Sequence, residues 1–357
     1  MHSVLSRFAL SAAPVSCEPY GSGHINGTQL VVCENGARYI LQQINTAVFR
    51  EPVPLMRNIE LVTAHLRNKV SDPRGVLRLV PTQNGMSYVV ENGEYWRVYD
   101  LVQNSVCYQT ADQALFCESA VAFGRFQNQL SDFPAEQLSE TIPHFHDTPA
   151  RYAALVRAIE ENASGRRANV QREIDVALGC ESFLHTLTDL QASGDLPLRV
   201  THNDTKINNV LFDAETKKAL CIIDLDTVMP GLSVNDFGDA IRFGASTAAE
   251  DEQDLSRVHF DLDLYETYVR GYLSTCGGSL TKTEIDMLPV GAKMMTLECG
   301  MRFLADHLAG DVYFHVSREG QNLDRARTQL QLVREMDSHW DEMRRIVGRI
   351  VLHVSKE

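Results

Sequence analysis

The chain has no apolar run long enough to span a bilayer, no Cys-x-x-Cys, no internal repeat and no low-complexity tract. Each absence removes a class. Without a run of about 20 apolar residues, no transmembrane helix and no membrane partner are expected. The eight cysteines, at 17, 33, 107, 117, 180, 221, 276 and 299, include no tight pair, which argues against a disulfide framework. Scattered, reduced thiols in a chain of 357 residues point to a cytoplasmic address. Positive charge is scarce too: 33 Lys and Arg against 47 Asp and Glu give a formal net charge of −14. Such a surface repels phosphate backbones, so no nucleic acid partner is expected, although a local basic pocket for one nucleotide is compatible with it. The stretch "MHSVLSRFALSAAPVSC" has Arg7 inside its apolar run and reads as a short amphipathic helix, not as a signal peptide.

What is present is the composition of an ordinary globular protein, 44% hydrophobic and 22% charged, with length for two lobes. Strands and turns fill the first hundred residues around one helix. A hairpin turns at "ENG" (34–36), a second turns at Asn92-Gly93, and Leu55, Ile59, Val62 and Leu66 recur at helical spacing. After residue 110 the texture becomes helical, in "ADQALFCESAVAFGRFQNQLSDF", "PARYAALVRAIEENASGRRANVQREI" and "ESFLHTLTDLQAS". "GRRANVQRE" reads there as a solvated helix face. Two short strands, "NVLFD" and "ALCIIDLD", precede a helical last third. The fold class is therefore α+β and bilobal, with a small β-rich lobe over 1–102 and a larger, mainly helical lobe over 103–357. An extended connector near Tyr99–Val106 joins them.

"THNDTKINNVLFD" (201–213) is too polar for a strand and too ordered for a solvated loop. His202, Asp204, Lys206 and Asn209 crowd it, and Asp224 and Asp226 follow one strand–turn–strand later. Such a hairpin sets Asn209 near Asp224. Phosphoryl transfer from ATP requires this arrangement: one carboxylate to orient a hydroxyl and accept its proton, an amide and a second carboxylate to hold Mg²⁺, and a lysine against the phosphoryl charge. Asp226 is either a further ligand or a brace behind one. Upstream, "YGSGHING" sets Gly21, Gly23 and Gly27 between two strands, where backbone amides can approach phosphates without a Cβ in the way. In "HFHD" (144–147), zinc is not expected, and Asp147 reads as a helix N-cap.

On these signatures the chain resembles the aminoglycoside phosphotransferase superfamily, which has a protein-kinase-like fold. "EPYGSGHIN", "EYWRVYD", "IDLDTVMPGLSVNDFGDAIRFGA" and "LECGMRFLADHLAGDVYF" most resemble its sugar 1-kinases, which phosphorylate the anomeric hydroxyl of N-acetylglucosamine or N-acetylgalactosamine with ATP and Mg²⁺. The resemblance implies Asp204 as base, Lys206 as a γ-phosphate contact, and Asn209 and Asp224, with Asp226, at the metal. It implies Gly21, Ser22, Gly23 and Gln42 at the nucleotide, and the backbone of Tyr99, Asp100, Leu101 and Val102 at adenine. His24, Arg302 and Tyr313, with Asp204, would meet the sugar.

The sequence departs from the wider kinase pattern at three places. "YILQQIN" puts Gln42 or Gln43 where a strand lysine is usual, so the usual pairing with Glu60 is not expected. The last glycine of the Gly-rich loop is one residue late. Asp224-Leu225-Asp226 replaces D-F-G, so no activation-loop switch follows. Two competing readings stand: the same fold with another acceptor (another hexose, an amino alcohol, an aminoglycoside), and a nucleotide-binding pseudokinase scaffold. Oligomeric state is not legible, and the composition is compatible with a monomer.

Overall fold

The computed structural model describes residues 3–21, 25–110 and 112–354. In chain order, strands β1 (Pro14–Pro19), β2 (Gly27–Cys33) and β3 (Arg38–Ile44) precede helix α1 (Pro52–Arg67). Then come β4 (Val89–Glu91), β5 (Glu94–Asp100) and β6 (Ser105–Cys107). Four helices follow: α2 (Gln113–Gln129), α3 (Thr148–Glu161), α4 (Gln171–Leu178) and α5 (Thr186–Ser193). Four short strands come next: β7 (Arg199–Thr201), β8 (Val210–Asp213), β9 (Ala219–Ile222) and β10 (Met229–Gly231). The remainder is helical: α6 (Ser233–Gly244), α7 (Leu262–Cys276), α8 (Lys282–Asp286), α9 (Leu288–Ala309), α10 (Gln321–Ser338) and α11 (Trp340–Val354).

The chain divides into two compact units. The first runs through Cys107 and, beyond the boundary expected at Val102, also takes in Asp132–Pro143 and Asn209–Pro230. The second comprises Tyr108–Ser131, His144–Asn208 and the chain from Gly231 onward.

In the first unit a five-stranded antiparallel sheet has the order β1-β2-β3-β5-β4. Both expected hairpins form. At the β4–β5 turn, Asn92 and Gly93 have φ of 53° and 83°, the paired positive values that a two-residue turn on right-twisted strands demands. The sheet buries Val31, Leu41, Trp96 and Val98 on one side. Helix α1 buries Leu55, Ile59, Val62 and Leu66, the face given by its spacing. A separate three-stranded antiparallel sheet, β6-β8-β9, carries the second set of polar residues at its end.

The second unit is built around α9, whose 22 residues are almost all buried. Leu297, Met301, Leu304 and Leu308 pack there against Leu155, Ile174 and Leu330 of α3, α4 and α10. Helices α6 and α9 cross at Gly238 and Gly291: a Cβ on Gly238 would stand 2.2 Å from the Gly291 carbonyl oxygen. Only glycine permits that approach, and it fixes the two helices that carry the site's carboxylates and arginine. The α+β division thus holds. One local expectation does not: "GRRANVQRE" is no continuous helix face. Asn162 ends α3 in the left-handed region (φ 43°), Gly165 turns at φ 71°, a single 3₁₀ turn forms at Arg167–Asn169, and α-helix resumes only at Gln171.

Candidate active site

The polar run leaves β7 and stays irregular until a single 3₁₀ turn at Ile207–Asn209. Its amides are satisfied from behind by α6. Asp236 accepts from His202 N at 2.8 Å, Asn203 N at 2.7 Å and Gln127 Nε2 at 3.0 Å. One turn on, Asp239 accepts from Thr205 N at 2.9 Å and from Arg242 Nε at 2.8 Å. Thr205 Oγ1 donates to the Asp236 carbonyl at 2.5 Å. Both carboxylates are buried. Burial pushes the Asp236 pKa up, against the opposing pull of His202 and the amides that donate to it. The His202 ring is fully buried, edge-on to Phe123 and Phe126, and its Nδ1 accepts from Asp204 N at 3.3 Å.

The loop is thus held largely through its backbone. Asp204 and Lys206 are about 30% exposed, and Lys206 Nζ lies 3.0 Å from Asp204 Oδ1. The Asp204 carboxylate holds the Lys206 pKa above its ordinary value, outweighing burial and the Arg242 charge. The lysine is a fixed cation.

In the first unit the β8–β9 hairpin pairs Val210 with Ile222, and Ile223 N donates to the Asn209 carbonyl at 2.9 Å. Asn209 is thereby set beside Asp224, as its spacing predicts. Asp224 is exposed and sits in the left-handed region (φ 59°, ψ 57°), a conformation that costs a non-glycine residue about 1–2 kcal/mol. Asp226 is placed differently. It is 1% exposed, with Oδ1 2.5 Å from Arg97 Nη1 and Oδ2 2.5 Å from Asn26 Nδ2.

Arg97 is the residue that sequence reasoning missed. It stands on β5 opposite Gln42 of β3, and its Nε donates to Gln42 Oε1 at 3.0 Å. Gln42 Nε2 in turn donates to Thr28 Oγ1 at 3.0 Å, so both ends of that amide are engaged. Burial works against the Arg97 charge, but Asp226 overcomes it and raises the pKa. The guanidinium also lies 5.2 Å from the Tyr99 ring centroid. Glu60 pairs with Arg57 at the surface, 3.4 Å away, and takes no part in this pair. The available signal was an arginine inside the alternating strand "EYWRVYD".

Gly21 has φ +78°, which suits glycine; Ser22, Gly23 and His24 lie outside the described residues. At the connector, Tyr99 and Asp100 belong to β5. The Asp100 and Leu101 amides already donate to the Arg78 and Arg38 carbonyls, at 2.9 and 3.2 Å.

Arg302 and Tyr313 are brought together in the second unit. The Arg302 guanidinium stands over Phe145, Tyr313 and Phe314, 5.5, 5.9 and 5.4 Å from their centroids. Asp306, one helical turn beyond Arg302, accepts from the consecutive amides of Val312, Tyr313 and Phe314 at 3.0, 2.8 and 2.9 Å. This carboxylate fixes the loop that displays Tyr313. Asp147 caps α3 by accepting from Ala150 N at 3.0 Å, as expected. Next to it, His146 Nδ1 lies 2.9 Å from Glu298 Oε1.

Among the described residues, no group of three or more His, Cys, Asp or Glu is placed to hold a metal ion, and no helix is long and apolar enough to cross a membrane. Solved structures share the fold. An aminopropanol kinase associated with a microcompartment is 17% identical, with 96% of this chain and 97% of that one covered at a TM-score of 0.66. An aminoglycoside phosphotransferase from Alicyclobacillus acidocaldarius is 14% identical, with 97% and 95% covered at 0.63. An amicoumacin kinase, solved in complex with AMP-PNP, Ca²⁺ and Ami, is 13% identical, with 87% of each covered at 0.59. The fold is thus kinase-like. The model of the phosphotransferase enzyme family matches residues 16–272, well over half of the sequence. The chain belongs to the phosphotransferase enzyme family.

Proposed function

We propose that the protein is an N-acetylhexosamine 1-kinase, transferring the ATP γ-phosphoryl group to the anomeric hydroxyl of N-acetylglucosamine or N-acetylgalactosamine. The Asp204 carboxylate orients the C1 hydroxyl. The C1 oxygen bonds to the γ-phosphorus, the bond from that phosphorus to the β,γ-bridging oxygen breaks, and the hydroxyl proton passes to Asp204. ADP and the sugar 1-phosphate leave. An anomeric hydroxyl is more acidic than an ordinary alcohol, so a weakly basic carboxylate is enough, and positioning with charge stabilisation supplies most of the rate. Lys206 meets the γ-phosphate.

The donor set at Asn209 and Asp224 is all oxygen, which fits Mg²⁺, an ion that keeps several waters and takes few protein ligands. When bound, the ion neutralises phosphate charge. Both Asp226 oxygens are engaged by Arg97 and Asn26, so it braces the turn behind Asp224. Gln42 acts through Arg97. Gly21, with Ser22 and Gly23, cradles phosphate, and the connector meets adenine through the Val102 amide, since those of Asp100 and Leu101 are engaged. The amicoumacin kinase, solved with AMP-PNP, is consistent with a nucleotide here.

One observation carries the choice of acceptor. Arg302 has no hydrogen bond or ion pair among the described residues, although Glu298, one turn away, feels its charge. Arg151 is close enough that the Arg302 charge, after burial, lowers its pKa. The Arg302 guanidinium, walled by Phe145, Tyr313 and Phe314, and the nearby Arg151, which donates to the Phe145 carbonyl, repel a cation. They suit a neutral ring with hydroxyl and carbonyl oxygens, and Tyr313 offers that ring a face. His24 would complete the sugar contacts. The second reading, a cationic acceptor, is favoured by the aminopropanol and aminoglycoside kinases among the similar structures. Purified protein with ATP, Mg²⁺ and a panel of sugars, amino alcohols and aminoglycosides decides between them. Acid-labile phosphate on an N-acetylhexosamine supports the sugar 1-kinase. Turnover confined to amines, or an acid-stable product, overturns it.

A further inference from the structure

The peptide unit between Asn203 and Asp204 is gripped at both ends by histidines. Its N–H, on Asp204, donates to His202 Nδ1 at 3.3 Å. Its carbonyl, on Asn203, faces His146 Nε2 in a longer contact of 3.4 Å. Asn203 itself is in the left-handed region (φ 63°), with its own N–H on Asp236. The tilt of this one peptide plane sets the direction in which the Asp204 side chain leaves the backbone.

His146 is held for that task. Its side chain is 8% exposed, and Nδ1 is 2.9 Å from the fully buried Glu298, whose other oxygen accepts from Thr148 Oγ1 at 2.7 Å. Burial works to raise the Glu298 pKa, but the His146 hydrogen bond, the His146 and Arg302 charges and Thr148 bring it below the ordinary value. A carboxylate and a carbonyl only accept, so both contacts are made together only when both ring nitrogens carry protons. Phe145, next in the chain, lies against His146 with 4.5 Å between ring centroids and the planes tilted by 51°, and it faces Arg302. One short segment therefore touches the base loop and the arginine wall.

We infer that His146, fixed by Glu298, is a positioning residue that sets the Asn203–Asp204 peptide plane and so aims the Asp204 carboxylate. This rests on Asp204 as base, not on which acceptor is used. His202 takes the N–H side of the grip and His146 the carbonyl side.

The test compares His146→Ala with His146→Gln, whose amide can still donate to the carbonyl, in the full chain. Phosphoryl transfer and acceptor-free ATP hydrolysis are measured beside hydrogen exchange over 201–206. His146→Ala should lower kcat about 10- to 100-fold with the KM for ATP little changed, the size expected of a misaimed group. Exchange over 201–206 should quicken while that over α6 stays as in the wild type, and His146→Gln should recover most of the rate. Wild-type rate and exchange in His146→Ala overturns the inference. So does an equal loss in both variants that tracks their thermal midpoints. If the wild type phosphorylates no N-acetylhexosamine, the acceptor assignment fails, while ATP hydrolysis and exchange still decide the role of His146.

Discussion

The turn at 224–226 and the loop at 201–206 both leave regular structure at residues of the candidate site, and the two units hold them by opposite means. The turn is held through a side chain: Asp226 is locked by the buried Arg97 and by Asn26. The loop is held through its backbone, its amides received by Asp236 and Asp239. The first device uses one acidic side chain to leave its neighbour, Asp224, exposed. In the second the carboxylates come from α6, and Asp204 and Lys206 keep about 30% of their side chains exposed. Two charges buried as a pair also differ in risk from carboxylates wrapped in amides. Removing one member of an ion pair strands the other in a dry site, whereas removing an acceptor strands neutral donors.

The largest effect belongs to the loop side of the contrast. Asp204→Asn should lower kcat about 100- to 10,000-fold while ATP affinity measured by calorimetry barely moves. Near-normal turnover would mean that the loop does not carry the base. On the turn side, Arg97→Met should cost about 3–5 kcal/mol in urea unfolding, because the buried Asp226 loses its countercharge and keeps only the Asn26 amide. The double variant Arg97→Met with Asp226→Leu should regain most of that stability; if it does not, Arg97 acts through packing and the contrast weakens.

Asp236→Asn places an NH₂ against one of the donors that the carboxylate received. About 1–3 kcal/mol of stability should be lost, less than for Arg97→Met. A larger loss than in Arg97→Met would reverse the ranking of the two devices. The smallest effect is at the arginine wall. Arg302→Gln should raise the acceptor KM about tenfold and leave stability and the KM for ATP nearly unchanged. Improved turnover of a cationic acceptor in that variant would show that charge, not shape, sets the choice.

The features legible in the sequence were those fixed by local geometry. Asn92-Gly93 dictates its turn, Asp147 caps the helix that follows it, and the strand–turn–strand spacing carries Asn209 to Asp224. Arg97 was not legible, because its partner lies 129 residues away in the chain and a lone arginine in a strand gives no direction. The carboxylates of Asp236 and Asp239 were visible as letters in "SVNDFGDAIRFG", without a role. Their i, i+3 spacing puts both on one helix face, yet only the closed fold shows that this face meets the loop's amides. The glycines at 238 and 291 were equally mute until α6 and α9 crossed.

Asp306 has a further consequence. It grips the stretch 312–314 only by main-chain amides, so the shape of that stretch does not depend on which side chain stands at position 313. Tyr313, 64% exposed, is in effect a replaceable tool in a fixed holder. If Tyr313 meets the acceptor as proposed, a lineage could exchange it and retune that contact without rebuilding the scaffold beneath.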